Sequence, residues 1–115
     1  MDATVVGLGT WAIGGAGWGG SDRNNDIAAI RAGIDAGINF IDTAPIYGFG
    51  LAEEIVGEAL EGYRDQVILA TKCGQRWNIG EGEFVYEDGD GNRILNCLSP
   101  EGIRFELDES LKRLK

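Results

Sequence analysis

The chain has 115 residues, 43% of them hydrophobic, which suits one small domain. Its net charge of −9, with no basic cluster, disfavours a nucleic-acid partner. Histidine is absent, which excludes His-based metal sites and a serine–histidine triad, and the presence of only two cysteines, Cys73 and Cys97, argues against a disulfide framework.

No apolar run approaches the ~20 residues of a membrane span, and the start at Met1 lacks the basic and apolar regions of a signal peptide. No membrane partner is expected, and a cytoplasmic location is the default. The 19 glycines cluster from Gly7 to Gly20 and from Gly74 to Gly91, the mark of tight turns between short elements.

In chain order, the apolar run Thr4 to Gly9 predicts a first strand, and a glycine-rich loop follows from Gly14 to Asn25. Ile27, Ile30 and Ile34 recur at helical spacing and predict a helix over Asp26 to Ala36, capped by Asn25 or Asp26 and closed by Gly37. Asn39 to Asp42 reads as a second strand and Leu51 to Leu60 as a second helix. Gln66 to Lys72 is the clearest strand, with β-branched residues in its middle. In the long loop Gly74 to Leu98, two apolar segments, Phe84 to Glu87 and Arg93 to Leu95, flank an Asp-Gly turn and predict a β-hairpin. Ser99 and Pro100 open a last helix with Ile103, Leu107, Leu111 and Leu114 as its apolar stripe. Strands alternating with helices imply parallel strands and right-handed crossovers.

Two motif matches fail on context. Gly7-Leu8-Gly9-Thr10-Trp11-Ala12 fits G-x-G-x-x-A, but the glycines that follow cannot open the helix such a fingerprint needs. Asp88 to Asn92 resembles the start of a calcium loop, yet Arg93 and Ser99 stand where that loop requires Gly and Glu. No metal site is expected.

Asp42, Tyr47 and Lys72 are the informative set. Asp42 and Lys72 end the second and third strands, and Tyr47 lies in the loop after Asp42. Parallel strands bring them to one rim, where α/β barrels carry their chemistry. A phenol is a poor acid at neutral pH; a neighbouring ammonium favours its ionised form, and a carboxylate keeps that ammonium in place and charged. The three residues together make a proton donor suited to a carbonyl oxygen.

Phe40-Ile41-Asp42-Thr43-Ala44-Pro45-Ile46-Tyr47-Gly48, followed by Glu53, Glu54 and Gly57, closely resembles the aldo-keto reductase signature. Gly7 to Trp11, Ala70-Thr71-Lys72 and Ser99 to Leu114 resemble the family's first strand, third-strand lysine motif and third helix. The resemblance implies an α/β fold. Residues 1–115 would be the first three strand–helix units of a (β/α)8 TIM barrel, strands four to eight being absent, with a hairpin after the third strand. It implies reduction of aldehydes and ketones with NADPH or NADH. Tyr47 would be the general acid, tuned by Lys72 and Asp42. Gly9, Thr10, Trp11 and Asp42 would lie beside the cofactor, and Trp11, Tyr47 and Trp77 would shape the substrate pocket. The alternative is a barrel relative serving as a regulatory or binding subunit.

The family's catalytic histidine and most of its cofactor grip lie outside these residues. The chain alone is therefore expected to lack reductase activity, and to need the rest of a barrel or self-association to cover its apolar surface.

Overall fold

A computed structural model describes residues 1–115. Three strands form a parallel sheet in the order β1 (Leu8–Gly9), β2 (Phe40–Asp42), β3 (Ile68–Ala70). Helices α1 (Arg23–Asp35) and α2 (Leu51–Ala59) are the crossovers, and α3 (Pro100–Leu114) packs against α2. Leu8 pairs with Ile41 and Gly9 with Asp42, while Asp42 pairs in turn with Ala70. Gly9, Asp42 and Ala70 are thus level at the carboxyl edge. Each next residue prolongs the ladder: Thr10 N–H donates to the Asp42 carbonyl (3.0 Å) and Thr43 N–H to the Ala70 carbonyl (2.9 Å).

The core lies between this sheet and two helices. Ile30 and Ile34 of α1 and Ile55, Val56 and Ala59 of α2 meet Ile41 and Val67. Burial of that apolar surface is the main force holding α1 and α2 on the sheet. Arg31 adds a polar tie at the end of α2: its guanidinium donates to the Ala59 carbonyl (3.0 Å) and to the Glu58 carbonyl (3.1 Å), which also accepts from the Glu61 amide.

The hairpin is present as β5 (Glu83–Glu87) and β6 (Arg93–Asn96), with a bulge between Phe84 and Tyr86. Asp88 closes its turn by accepting from the Asp90 and Asn92 amides (2.9 and 2.8 Å), a local role that accounts for the acidic run. A strand not foreseen, β4 (Gln75–Trp77), pairs antiparallel with β6 to make a second three-stranded sheet.

Several boundaries differ from expectation. The first strand covers only Leu8–Gly9; Thr4 is held by the Asn39 side chain (2.8 Å) and has no ladder partner. Asp22 caps α1 by accepting from the Asn25 amide, so the helix begins three residues before Asp26. The third strand is Ile68–Ala70, because Arg64–Gln66 form a turn of 3-10 helix.

The stripe expected on α3 is a correction. Ser99 does cap the helix, with Pro100 in its first turn, but the buried residues are Gly102, Glu106 and Ser110. Ile103, Leu107 and Leu111 face outward, Leu111 at 60% exposure; only Leu114 reaches the core. Helix α3 docks here through polar partners. Glu106 accepts from the Gly74 amide (2.5 Å) and pairs with Arg76 (3.5 Å).

Candidate active site

The carboxyl edge of the parallel sheet assembles the predicted residues. Lys72, two residues beyond β3, places its Nζ 2.7 Å from Asp42 Oδ2, 2.9 Å from the Thr43 carbonyl and 3.0 Å from Tyr47 Oη. An ammonium has three protons, and all three are committed. Oη accepts one of them, which leaves the phenolic proton free to point elsewhere. Nζ also lies 4.7 Å from the Tyr47 ring centroid.

Burial works against the Lys72 charge, but hydrogen bonds to Asp42 and Tyr47 and the Asp42 charge outweigh it, so the ammonium is held above the ordinary lysine value. With Lys72 and Asp42 side chains 47% and 37% exposed, the pair contributes only about 0–1 kcal/mol to stability. Fold stability is therefore a weak reason for its geometry.

Neighbouring backbone fixes Tyr47. A Cβ at Gly48, whose φ is +61°, would fall 2.1 Å from the Gly14 carbonyl oxygen. Only glycine allows the loop after β2 to press against the short 3-10 turn Ala12–Gly14. That approach sets the Trp11 ring 6.1 Å from the Tyr47 ring at an interplanar angle of 25°. Trp18 also packs on Trp11, with ring centroids 5.7 Å apart and an interplanar angle of 76°.

The remaining expected residues divide. Gly9 is exposed, and nothing stands within 4 Å of a Cβ placed there, so a flat ring has room beside it. Thr10 is fully buried; its amide and its hydroxyl both donate to the Asp42 carbonyl (3.0 Å each). It holds the Asp42 backbone and has no surface of its own to offer. Trp77 stands apart from Tyr47, packing on Phe49 (5.6 Å) with the Arg113 guanidinium 5.9 Å from its ring.

A cleft of about 510 Å³ opens beside Tyr47, walled by Trp11, Phe49, Tyr86 and the hairpin turn at Asp88 to Asp90. The sequence places Tyr86 in the hairpin but not at the site; an aromatic two residues before an Asp-Gly turn was the one available signal. Another cleft, about 550 Å³, lies between β4 and α3 beside Arg76, Cys97 and Phe105, and none of Asp42, Tyr47 or Lys72 lines it.

Behind the rim lies a buried ion pair. Glu53 of α2 is fully buried; one carboxylate oxygen accepts from Thr71 Oγ1 (2.6 Å) and the other from Arg113 Nε (2.6 Å). Four residues on, Gly57 lets the backbone of α3 come close: a Cβ there would meet the Arg113 carbonyl oxygen. Glu53 and Gly57, which follow the Asp42-to-Gly48 segment in sequence, therefore serve one contact between α2 and α3.

Parallel strand–helix units with polar groups gathered on their carboxyl rim are the architecture of an α/β barrel, here three of its units with a hairpin after the third strand. The aldo/keto reductase family model matches residues 5–115, and the chain belongs to that family. Aldo-keto reductase YhdN of Bacillus subtilis is 47% identical across all of this chain and 32% of its own length. The NADH-specific methylglyoxal reductase of Escherichia coli is 49% identical over 95% of this chain and 34% of its own. Among solved structures, the glycerol dehydrogenase of Gluconobacter oxydans superposes with a TM-score of 0.81 at 46% identity, over 99% of this chain and 33% of that one. An aldo-keto reductase from Klebsiella pneumoniae in complex with NADPH gives a TM-score of 0.66 at 33% identity, over 97% of this chain and 31% of its own. The chain spans about a third of the length of the curated relatives it matches. No helix is long and apolar enough to cross a membrane.

Proposed function

We propose that the protein is an NAD(P)H-dependent oxidoreductase that reduces aldehydes and ketones to alcohols, and that this segment supplies its proton donor. The reading rests on one observation: all three Lys72 protons are committed, one of them to Tyr47 Oη. Tyr47 then gives its own proton to the carbonyl oxygen of the substrate. The phenolate left behind remains hydrogen-bonded to the ammonium, and Asp42 and the Thr43 carbonyl hold that ammonium still. Trp11, stacked on Tyr47, and Tyr86 confine the substrate within the cleft.

The donor set fits a nicotinamide dinucleotide at one end. Asp42 Oδ2 is engaged by Lys72, while Oδ1 makes no hydrogen bond and can accept from a sugar hydroxyl. The open face at Gly9 leaves space for the nicotinamide ring. A bound dinucleotide supplies the hydride; this chain's residues supply position and electrostatics. One relative is named as NADH-specific and one solved relative is in complex with NADPH, which supports this cofactor class.

Tyr47→Phe in the full-length chain tests the assignment. It keeps the ring stacking and removes the acid, so kcat for aldehyde reduction falls by about 10²- to 10⁴-fold while the KM for the cofactor stays near its original value. Turnover within a few-fold of the unsubstituted enzyme would remove Tyr47 from the role.

A further inference from the structure

We infer that Glu53 is a positioning residue for Lys72, acting through Thr71, and that it ties the reacting ammonium to the end of α3. This rests on the carbonyl-reductase reading above and names the device that aims its lysine.

Lys72 stands beyond the last paired residue of its strand. The ladder at β3 ends with Thr43 N–H on the Ala70 carbonyl, so neither Thr71 nor Lys72 has a strand partner to orient it. The Thr71 side chain makes one polar contact, its hydroxyl donating to Glu53 (2.6 Å). That contact is anchored at its far end. Glu53 is fully buried, with its second oxygen on Arg113 Nε, and the Arg113 side chain is only 15% exposed. A carboxylate buried this deeply is retained only with its charge matched and its lone pairs engaged.

The chain's exit from β3 is thus clamped on one side by backbone and on the other by a buried ion pair sixty residues apart in sequence. From that clamp the Lys72 stem must bring Nζ within hydrogen-bonding distance of three acceptors at once. Release of Thr71 leaves the backbone of Lys72 free to shift, and displacement on the ångström scale suffices to lower a rate by up to about a hundredfold.

Thr71→Val removes the hydroxyl and keeps the shape, and Thr71→Ser keeps the hydroxyl and removes a methyl group. Both substitutions are made in the full-length chain, alongside Glu53→Gln. Two readouts apply. Trace acetylation with acetic anhydride, followed by mass spectrometry, reports Lys72 directly and needs no turnover: pairing holds the proton on Nζ and protects it, whereas a released lysine loses that proton more readily and its neutral amine is acylated, with acetate leaving. Carbonyl reduction with NAD(P)H gives kcat and KM separately.

Thr71→Val should acetylate at Lys72 at least threefold faster and lose about tenfold in kcat, with cofactor KM little changed. Thr71→Ser should match the unsubstituted chain in both. Glu53→Gln removes the charge opposite Arg113 but keeps an amide that can still bond the Thr71 hydroxyl, so its Lys72 acetylation should fall between those of the unsubstituted chain and Thr71→Val, and the Thr71 pair decides the matter if it does not fold. Lys72 acetylation unchanged in Thr71→Val, with circular dichroism intact, overturns the inference. So does a Thr71→Ser chain as impaired as Thr71→Val. If the unsubstituted full-length protein, with the barrel complete, shows no reductase activity, the functional reading fails while the acetylation result still judges the Glu53–Thr71 clamp.

Discussion

Lys72 is surrounded by opposing influences whose balance can be read. Burial is the largest single influence and disfavours its charge, yet the hydrogen bonds and charges of Asp42 and Tyr47 together hold the ammonium above the ordinary value of 10.5. The lysine therefore stays charged across the neutral and mildly alkaline range, and Tyr47 keeps its hydrogen bond throughout. Asp42→Asn removes the main supporting charge and leaves the burial. The Lys72 titration midpoint should then fall below that of the unsubstituted chain. Side-chain NMR of Lys72 between pH 8 and pH 12 measures this directly, those limits being chosen about two pH units either side of an ordinary lysine. An unchanged midpoint would show that Asp42 is not what keeps the ammonium charged. Asp42, Tyr47 and Lys72 were legible in sequence because each is a side chain with unusual chemistry near a strand end. The third acceptor, the Thr43 carbonyl, was not. Every residue carries a carbonyl, and only the register of β2 against β3 shows which one meets the lysine.

Between elements, the contact of α2 with α3 shows how a glycine can matter more for what it omits than for how it bends. Ala is preferred to Gly inside a helix by about 1 kcal/mol. At Gly57 a methyl group would collide with the Arg113 carbonyl oxygen and the Leu114 Cα. Both are backbone atoms and cannot rotate away. Overpacking of this kind costs about 1–3 kcal/mol, so the clash outweighs the gain in propensity. Gly57→Ala should lower the urea midpoint of the full-length chain with little change in slope; a midpoint at or above the original would mean that α3 moves aside without loss. Sequence reading found α2 and α3 from periodicity and caps, but assigned the wrong side of α3 to the contact. Periodicity marks the apolar stripe, and here the docked side is polar because Glu106 and Arg113 meet Arg76 and Glu53 across long sequence separations. β4 was missed for a related reason. Gln75-Arg76-Trp77 has no alternating pattern, and its strand exists only because β6 offers an edge.

At the scale of the whole molecule, the 115 residues bury one side of the parallel sheet well and leave much apolar surface outside. Val5 and Val6 are exposed, as are Leu107 and Leu111 along α3 and Phe84 and Val85 on the hairpin. The sheet edges at β1 and β3 have no further strand, and unpaired edges and apolar faces recruit other chains. Opposing this is the net charge of −9, which keeps copies apart at low ionic strength. Salt weakens that repulsion, since the screening length falls from about 30 Å at 0.01 M to about 8 Å at 0.15 M, and it leaves the apolar attraction in place. The 115 residues expressed alone should therefore be mostly monomeric in dilute buffer and shift to larger species as salt is raised. They should bind a hydrophobic dye such as anilinonaphthalene sulfonate at either ionic strength. Sedimentation velocity across that salt range is the measurement. A single monomeric boundary at both ends, with no dye binding, would show that the exposed side chains cover one another in a way this fold does not display. Dissociation on adding salt would mean that ion pairs between copies, and not apolar contact, hold any assembly together.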